Sequence, residues 1–291
     1  MHILITDSGV GGLSVVAYAE RFVRAHRFTE PVKLTFANAA PENDFGYNSM
    51  ASKQEKLDTF DRFLRNVTER FKPDQIYIAC NTLSVLLPDT KYVENTPIPV
   101  MGIVETGVEV LLRELESDPA RVAMIFGTQT TIEAGTYPRL LEERGVDPAR
   151  IISQACPGLA DTISEDREGT ESAAEIRGWV RAATASLDAA HPPTLAYLAC
   201  THYGYRKKLF AAAFDQSGVD ATVLNPNESA ADVLFGKPSR NDGPAQAADV
   251  RFVTRYRIPE TTLEALSYFL GDISPRTVEA MRNFELVPDL F

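Results

Sequence analysis

Two of the three cysteines follow apolar segments that end in Ala. Cys80 follows Gln75–Ala79, and Cys200 follows Leu195–Ala199, 120 positions further along the chain. Short runs of Ile, Leu, Tyr and Ala are typical of buried strands, and open α/β sheets bind their ligands beyond the carboxyl ends of such strands. The spacing therefore predicts one thiol at the ligand-binding end of a strand in each of two repeated units.

The polar residues next to these thiols favour acid–base chemistry. They are Asn81 and Thr82 after Cys80, and Thr201 and His202 after Cys200. A free thiol has a pKa near ~8.5, and a neighbouring imidazole can stabilise its thiolate. One cysteine with one histidine suggests acyl transfer. Two equivalent thiols suggest instead that a thiolate removes a proton from one face of a carbon acid while a thiol donates one to the opposite face, which inverts that centre.

A glycine-rich turn after the first apolar segment adds a carboxylate and a hydroxyl. Asp7 and Ser8 stand directly before the turn Gly9–Gly12. A dinucleotide-binding fingerprint would need its third glycine where Ser14 stands, and the chain contains no GxxxxGK[ST] motif, so a Rossmann cofactor site and a P-loop are both disfavoured. The turn instead lets the backbone approach a ligand, and N-capping of the next helix is the alternative role for Asp7.

The elements that must position these residues alternate between short apolar strands and longer segments of helical period, which predicts an α/β fold with mostly parallel sheets. Ile3–Ser8 has a counterpart in Ala123–Thr128 at the same offset of 120 positions. Two elements in one register predict two similar lobes related by a pseudo-twofold axis. If these lobes face each other, the two thiols face each other across a cleft. The predicted strands are His2–Thr6, Lys33–Asn38, Gln75–Ala79, Pro99–Val104, Arg121–Phe126, Arg150–Gln154, Thr194–Ala199, Ala221–Leu224 and Asp249–Thr254.

Length and charge exclude several classes of protein. The 291 residues suffice for one large or two smaller domains, and the net charge of −11 disfavours nucleic acid and anionic membranes as partners. No apolar run is long enough to span a membrane, and the first residues lack the features of a signal peptide, so we expect a cytoplasmic protein. The cysteines are too few and too far apart for a disulfide framework or a zinc site, and Cys156, which has no repeat partner, is interpreted as structural.

Four segments together resemble the glutamate racemases of the aspartate/glutamate racemase superfamily. In chain order they are MHILITDSGVGGLSVV, IACNTLSV, FGTQTTIEAGTY and LACTHYGY. The resemblance covers nearly the whole chain. It implies two α/β domains with the active site between them. We expect these domains at residues 1–104 with 208–291 and at 105–207. The resemblance also implies a small amino-acid substrate with no cofactor and no metal. A homodimer is the oligomeric state that we keep open.

Specific roles follow from the resemblance. It implies that Cys80 and Cys200 are the two acid–base thiols and that Asp7 and His202 assist their proton transfers. It also implies a set of residues that hold the substrate, namely Ser8, Phe45, Gly46, Asn81, Thr82, Thr128, Thr131 and Thr201.

Three departures from the family pattern bear on these expectations. Asp44 and Phe45 stand where the family has Pro-Tyr before the glycine, and a carboxylate in that loop would disfavour a second substrate carboxylate if it pointed at the substrate. The alternative is that Asp44 turns to solvent and glutamate remains the substrate. Ser164 stands where the family has the glutamate that supports its histidine, and Glu165 is the next residue. Either a shift of one residue restores this support through Glu165, or the support is missing. Gly204 replaces a proline.

Three functions remain open on these residues. The first is glutamate racemisation, which would supply D-glutamate for the bacterial cell wall. The second is racemisation or decarboxylation of another carbon acid on the same scaffold. Because decarboxylase relatives tend to keep one thiol and this chain has both, two-base inversion is favoured. The third is a binding protein that has lost catalysis.

Overall fold

We describe a computed structural model of the chain, which covers residues 1–26, 28, 30–43, 45–185, 187, 192–236 and 247–291. The chain forms two compact units. The first contains Met1–Ile103 and Asn227–Phe291, and the second contains Val104–Pro226. Each unit has one sheet, and helices connect its strands, as the alternating pattern of the sequence predicts.

The first unit contains a six-stranded sheet in which every recorded pairing is parallel. Its strand order is β10-β9-β2-β1-β3-β4. These strands are β1 (His2–Asp7), β2 (Lys33–Asn38), β3 (Gln75–Ile78), β4 (Val100–Gly102), β9 (Asp249–Thr254) and β10 (Glu285–Leu286). The inner strands are apolar on both faces because helices cover both sides of a parallel sheet.

The second unit contains a four-stranded parallel sheet with the order β6-β5-β7-β8. Its strands are β5 (Val122–Gly127), β6 (Ile151–Ala155), β7 (Thr194–Ala199) and β8 (Ala221–Leu224). β5 and β7 are buried along their whole length. They lie at the centre of the sheet. The predicted second thiol, Cys200, comes directly after β7.

Thirteen α-helices connect these strands in the described part of the chain. They are α1 (Leu13–His26), α2 (Lys53–Phe71), α3 (Asn81–Leu86), α4 (Lys91–Asn95), α5 (Ile103–Ser117), α6 (Gln129–Glu133), α7 (Thr136–Glu143), α8 (Leu159–Glu165), α9 (Thr170–Thr184), α10 (Lys207–Gln216), α11 (Pro226–Phe235), α12 (Glu260–Leu270) and α13 (Pro275–Arg282). None of the helices in the described ranges combines the length and the apolar character needed to cross a membrane.

The topology of the sheets matches the predicted internal repeat. β2-β1-β3-β4 of the first unit and β6-β5-β7-β8 of the second have the same order along the chain and within the sheet. One backbone hydrogen bond recurs at the same place in both: Ala39 donates to the carbonyl of Asp7 (2.8 Å), and Cys156 donates to the carbonyl of Gly127 (2.9 Å). The 120-residue offset therefore relates two structurally equivalent halves.

All nine predicted strands are present, and the differences are local. β10 was not predicted, since it has two residues that pair only with Val253 and Thr254. The helical period of the sequence predicts one helix over Thr131–Arg144, whereas the structure has two, α6 and α7, because Gly135 between them has a φ of 61°. Residues 208–226 lie in the second unit, whereas the expected domain division groups them with the first; β8 pairs with β7 and so holds them there.

Candidate active site

Cys80 stands at the end of β3, directly before α3, and is 5% exposed. The parallel register of β1 and β3 brings the residue after β1 beside it. That residue is Ser8, whose hydroxyl lies 3.0 Å from the Cys80 Sγ. A hydroxyl and a thiol 72 positions apart in sequence therefore form one hydrogen-bonded pair.

The Asp7 carboxylate lies in the same corner and is 1% exposed. Gly12 makes room for it: a Cβ on Gly12 would stand 2.7 Å from the Asp7 Cβ and 2.9 Å from its Oδ2, closer than side-chain atoms approach one another. Burial first and the Asp7 charge second raise the pKa of Cys80 to about 12, while the hydrogen bonds with Ser8 act in the opposite direction. Cys80 is therefore a protonated thiol at neutral pH. We call Asp7, Ser8 and Cys80 the Cys80 site.

The remaining predicted binding residues of the first unit lie on two neighbouring segments. Asn81 and Thr82 begin α3 and are each 1% exposed. Gly46 lies against the turn after β1, since a Cβ on it would stand 4.0 Å from the carbonyl oxygen of Ser8. Phe45, next to it, is 38% exposed. Asp44 lies outside the described residues.

The corresponding position of the second unit holds Cys200, directly after β7 and 6% exposed. Its Sγ lies 4.0 Å from Nδ1 of His202, a contact within one turn of chain. His202 is half-buried, and burial lowers its pKa to about 4. The imidazole is therefore neutral at neutral pH and can accept a proton.

The hydroxyl residues of the second unit are arranged differently from those of the first. Thr128 follows β5 and caps α6: its Oγ1 accepts from the backbone of Thr131 (3.3 Å) and lies 3.0 Å from the Thr131 Oγ1. Thr131 and Thr201 are both 2% exposed. We call Thr128, Cys200 and His202 the Cys200 site.

The departures from the family pattern in the second unit have structural correlates. A Cβ on Gly204 would stand 2.7 Å from Oδ1 of Asn225, so glycine leaves the space that this amide occupies. Ser164 uses its hydroxyl within α8, donating to Ala160 (2.9 Å). Among the described residues no carboxylate contributes to the pKa of His202, for which burial is the whole cause.

Cys156 is part of a hydrophobic core and is 1% exposed. Its carbonyl accepts a hydrogen bond from the Tyr203 hydroxyl (3.1 Å). Burial raises the pKa of its thiol far above the ordinary range. These contacts agree with the structural interpretation of this cysteine. Within the described ranges, no three His, Cys, Asp or Glu side chains are grouped as they would be to bind a metal ion.

One buried polar residue next to the Cys80 site belongs to none of the sequence motifs. Tyr47 is 1% exposed and follows Gly46 in a short 3-10 turn, Tyr47–Ser49. Its position directly after a predicted binding glycine is the only sequence signal that it carries, and that signal does not distinguish a buried side chain from an exposed one.

The comparisons with known proteins identify the family of the chain. Residues 4–232 match the model of the Asp/Glu/Hydantoin racemase family. The chain belongs to this family. Glutamate racemase from Aquifex aeolicus is 30% identical over 211 residues, which cover 72% of this chain and 73% of that protein. Glutamate racemase from Syntrophus aciditrophicus is 30% identical over 236 residues, which cover 78% of this chain and 76% of that protein.

Solved structures of racemases share the fold. A crystal structure of glutamate racemase from Campylobacter jejuni matches with a TM-score of 0.71 at 22% identity, and the match covers 93% of this chain and 98% of that one. The fold class and the family that the sequence motifs predicted are both confirmed. The roles of the individual residues at the two thiol sites stay predictions.

Proposed function

We propose that this protein is a glutamate racemase that interconverts L- and D-glutamate. The observation that carries the proposal is the buried cysteine at the end of equivalent strands in two topologically matching sheets, each beside a different acid–base group. Membership of the racemase family supports the reaction type, and relatives named glutamate racemase support the substrate. D-glutamate made in this way would serve bacterial cell-wall synthesis.

In the proposed reaction, the thiolate of one cysteine removes the α-proton from one face of glutamate. The electron pair left on Cα is delocalised into the α-carboxylate, and the thiol of the other cysteine donates its proton to the opposite face. One S–H bond and one C–H bond break, and one of each forms. No oxidant, reductant or further reactant is required, and the reverse direction exchanges the roles of Cys80 and Cys200.

Asp7 and His202 are proposed to move protons to and from the thiols. Because the pKa of Cys80 is about 12, forming its thiolate needs a proton acceptor, and the buried Asp7 carboxylate is the group beside it. The neutral imidazole of His202 is the corresponding acceptor for Cys200. The positive α-ammonium group of the substrate would further favour either thiolate when it binds.

The proposal also concerns where the enzyme works. Proton transfer by thiols requires that Cys80 and Cys200 stay reduced, and a reducing compartment keeps them so. We therefore place the enzyme in the cytoplasm. The hydroxyl and amide groups of Ser8, Asn81 and Thr82 would hold the substrate near Cys80, and those of Thr128, Thr131 and Thr201 would hold it near Cys200.

The experiment is racemisation in deuterated water. Purified protein is incubated with L- or D-glutamate, the opposite enantiomer is quantified by chiral chromatography, and deuterium at Cα is followed by NMR. We expect inversion together with Cα deuteration from either enantiomer. Absence of both would reject the enzyme and favour a binding protein that has lost catalysis.

A substrate panel tests glutamate against related amino acids. The rates of racemisation of glutamate, aspartate and glutamine are measured for the native protein and for Asp44→Asn. Glutamate is expected to be the best substrate of the native protein. A higher rate on glutamine would reject glutamate as the substrate. If Asp44→Asn raised the rate on glutamate and aspartate alone, Asp44 would be the residue that disfavours acidic substrates.

A further inference from the structure

The hydroxyl of Tyr47 has no hydrogen-bond partner among the described residues, although the side chain is 1% exposed. A buried hydroxyl without a partner is costly, and native proteins contain few of them. Four other buried tyrosines have partnered hydroxyls. Tyr92 pairs with Thr68 (2.5 Å), Tyr137 with Tyr197 (3.1 Å), and Tyr203 with the carbonyl of Cys156 (3.1 Å).

The position of Tyr47 relates this hydroxyl to the Cys80 site. Gly46, the preceding residue, lies against the carbonyl of Ser8, and the Ser8 hydroxyl is bonded to Cys80. Burial raises the pKa of Tyr47 well above its ordinary value, and a negative charge on Cys80 would raise it further. No hydrogen bond joins the two side chains.

The ring of Tyr47 is fixed independently of its hydroxyl. It contacts Phe60 edge to face, with ring centroids 6.1 Å apart and planes at 85°. Phe60 lies on α2 and is fully buried. Because this contact needs only the ring, phenylalanine would satisfy it equally well. Among the described residues the hydroxyl therefore contributes no hydrogen bond to the fold, and nothing in that part of the chain offsets the cost of burying it.

We propose that Tyr47 is a further substrate-binding residue whose hydroxyl donates a hydrogen bond to a carboxylate oxygen of the amino acid bound at the Cys80 site. A tyrosine O–H is a neutral donor, and a carboxylate oxygen is the strongest acceptor that the substrate offers. The bound carboxylate supplies the partner that the buried hydroxyl lacks. The inference rests on the proposed function, because it takes glutamate as the ligand.

The test compares Tyr47→Phe with wild type in two measurements. In racemisation kinetics, KM for glutamate is expected to rise about tenfold, since a hydrogen bond to a charged group is lost, while kcat stays within about twofold. In thermal unfolding, Tyr47→Phe is expected to melt no lower than wild type without ligand and to show a smaller rise of Tm on adding L-glutamate.

Tyr92→Phe is the matched control, because it removes a buried hydroxyl of the same unit that has a partner. It is expected to lower Tm and leave KM unchanged. An unchanged KM and an unchanged ligand-induced Tm shift in Tyr47→Phe, with active wild type, would overturn the inference alone. A lower Tm of ligand-free Tyr47→Phe would overturn it as well. A wild type that neither binds nor racemises glutamate would overturn the proposed function and the inference together.

Discussion

The Cys80 site and the Cys200 site occupy equivalent positions in the two repeated sheets but surround their thiols with different groups. The strand next to Cys80 ends in Asp7, whereas the strand next to Cys200 ends at the equivalent point in Gly127. The Ser8 hydroxyl is hydrogen-bonded to Cys80, whereas the Thr128 hydroxyl caps the N-terminus of α6. The repeat has therefore kept the thiol and changed its neighbours.

The difference concerns which group can take a proton. At the Cys80 site it is a buried carboxylate, whose charge opposes ionisation of the thiol. At the Cys200 site it is a neutral imidazole 4.0 Å from the sulfur. Two chemically equal thiols can thus have unequal ease of ionisation, which is useful for a reaction in which one cysteine must be a thiolate while the other is a thiol.

The largest expected effect tests whether the two sites are equivalent in function. Cys80→Ala and Cys200→Ala should each lower racemisation at least roughly 10³-fold, because inversion needs one proton-transferring group on each face of the carbon. Both variants should stay folded. Chiral chromatography of the products measures the loss, and a single variant that retained near-native racemisation would contradict the two-thiol mechanism.

Cys156→Ala is the control for these variants. Ala39 already occupies the equivalent position of the first unit, where it makes the same backbone hydrogen bond, so alanine fits this place in the fold. The variant should keep racemisation within about twofold of wild type and lose only core packing energy. A loss comparable to that of Cys200→Ala would give this third thiol a functional role.

The second prediction concerns the pH dependence of stability that the imidazole of the Cys200 site causes. The folded pKa of His202, about 4, lies below its ordinary value of 6.5, so the unfolded chain binds this proton first as the pH falls. Its contribution to stability is present above pH 6.5 and is lost as the pH falls through 4. Over that interval wild type should lose about 3 kcal/mol more unfolding free energy than His202→Asn.

Urea unfolding at a series of pH values measures this difference, and titrations common to both proteins cancel in it. Equal pH profiles for wild type and His202→Asn would show that the imidazole is not kept neutral by burial.

The third prediction sharpens the comparison kinetically. Asp7→Asn and His202→Asn should lower kcat by roughly ten- to a hundredfold with smaller changes in KM, because each replaces an acid–base group beside a thiol by a neutral amide of similar size. The two variants should affect the L-to-D and D-to-L directions unequally, within the limit set by the overall equilibrium. A raised KM alone in both variants would reassign these residues to substrate binding.

The smallest expected effect tests a packing difference between the sites. Gly204 leaves the space filled by the Asn225 amide, whereas the equivalent position of the first unit, Ser84, carries a side chain inside α3. Gly204→Ala should lower the free energy of unfolding by about 1 kcal/mol through overpacking. The double variant Gly204→Ala with Asn225→Ala should recover most of it, and strict additivity in this double-mutant cycle would contradict the clash.

Local patterns in the sequence determined much of the fold. The nine predicted strands are runs whose apolar character follows directly from burial on both faces of a parallel sheet, and the repeat at 120 positions survives as one strand order in both units. The two-residue β10 carries no such pattern, because only its pairing with Val253 and Thr254 of β9 makes it a strand. The break at Gly135 depends on one left-handed residue inside an otherwise continuous helical period.

The candidate site divides in the same way. The sequence by itself determined the two cysteines, their polar neighbours and their places at strand ends, since these features lie within a few consecutive residues. Three features became visible only in the tertiary structure. The Ser8 hydroxyl is hydrogen-bonded to Cys80, the Asn225 amide fills the space beside Gly204, and the buried Tyr47 hydroxyl has no hydrogen-bond partner among the described residues. Each of these depends on strand register or loop packing between residues far apart in the chain. A protonated Cys80 and a neutral His202 likewise follow from burial, which no single segment of sequence contains.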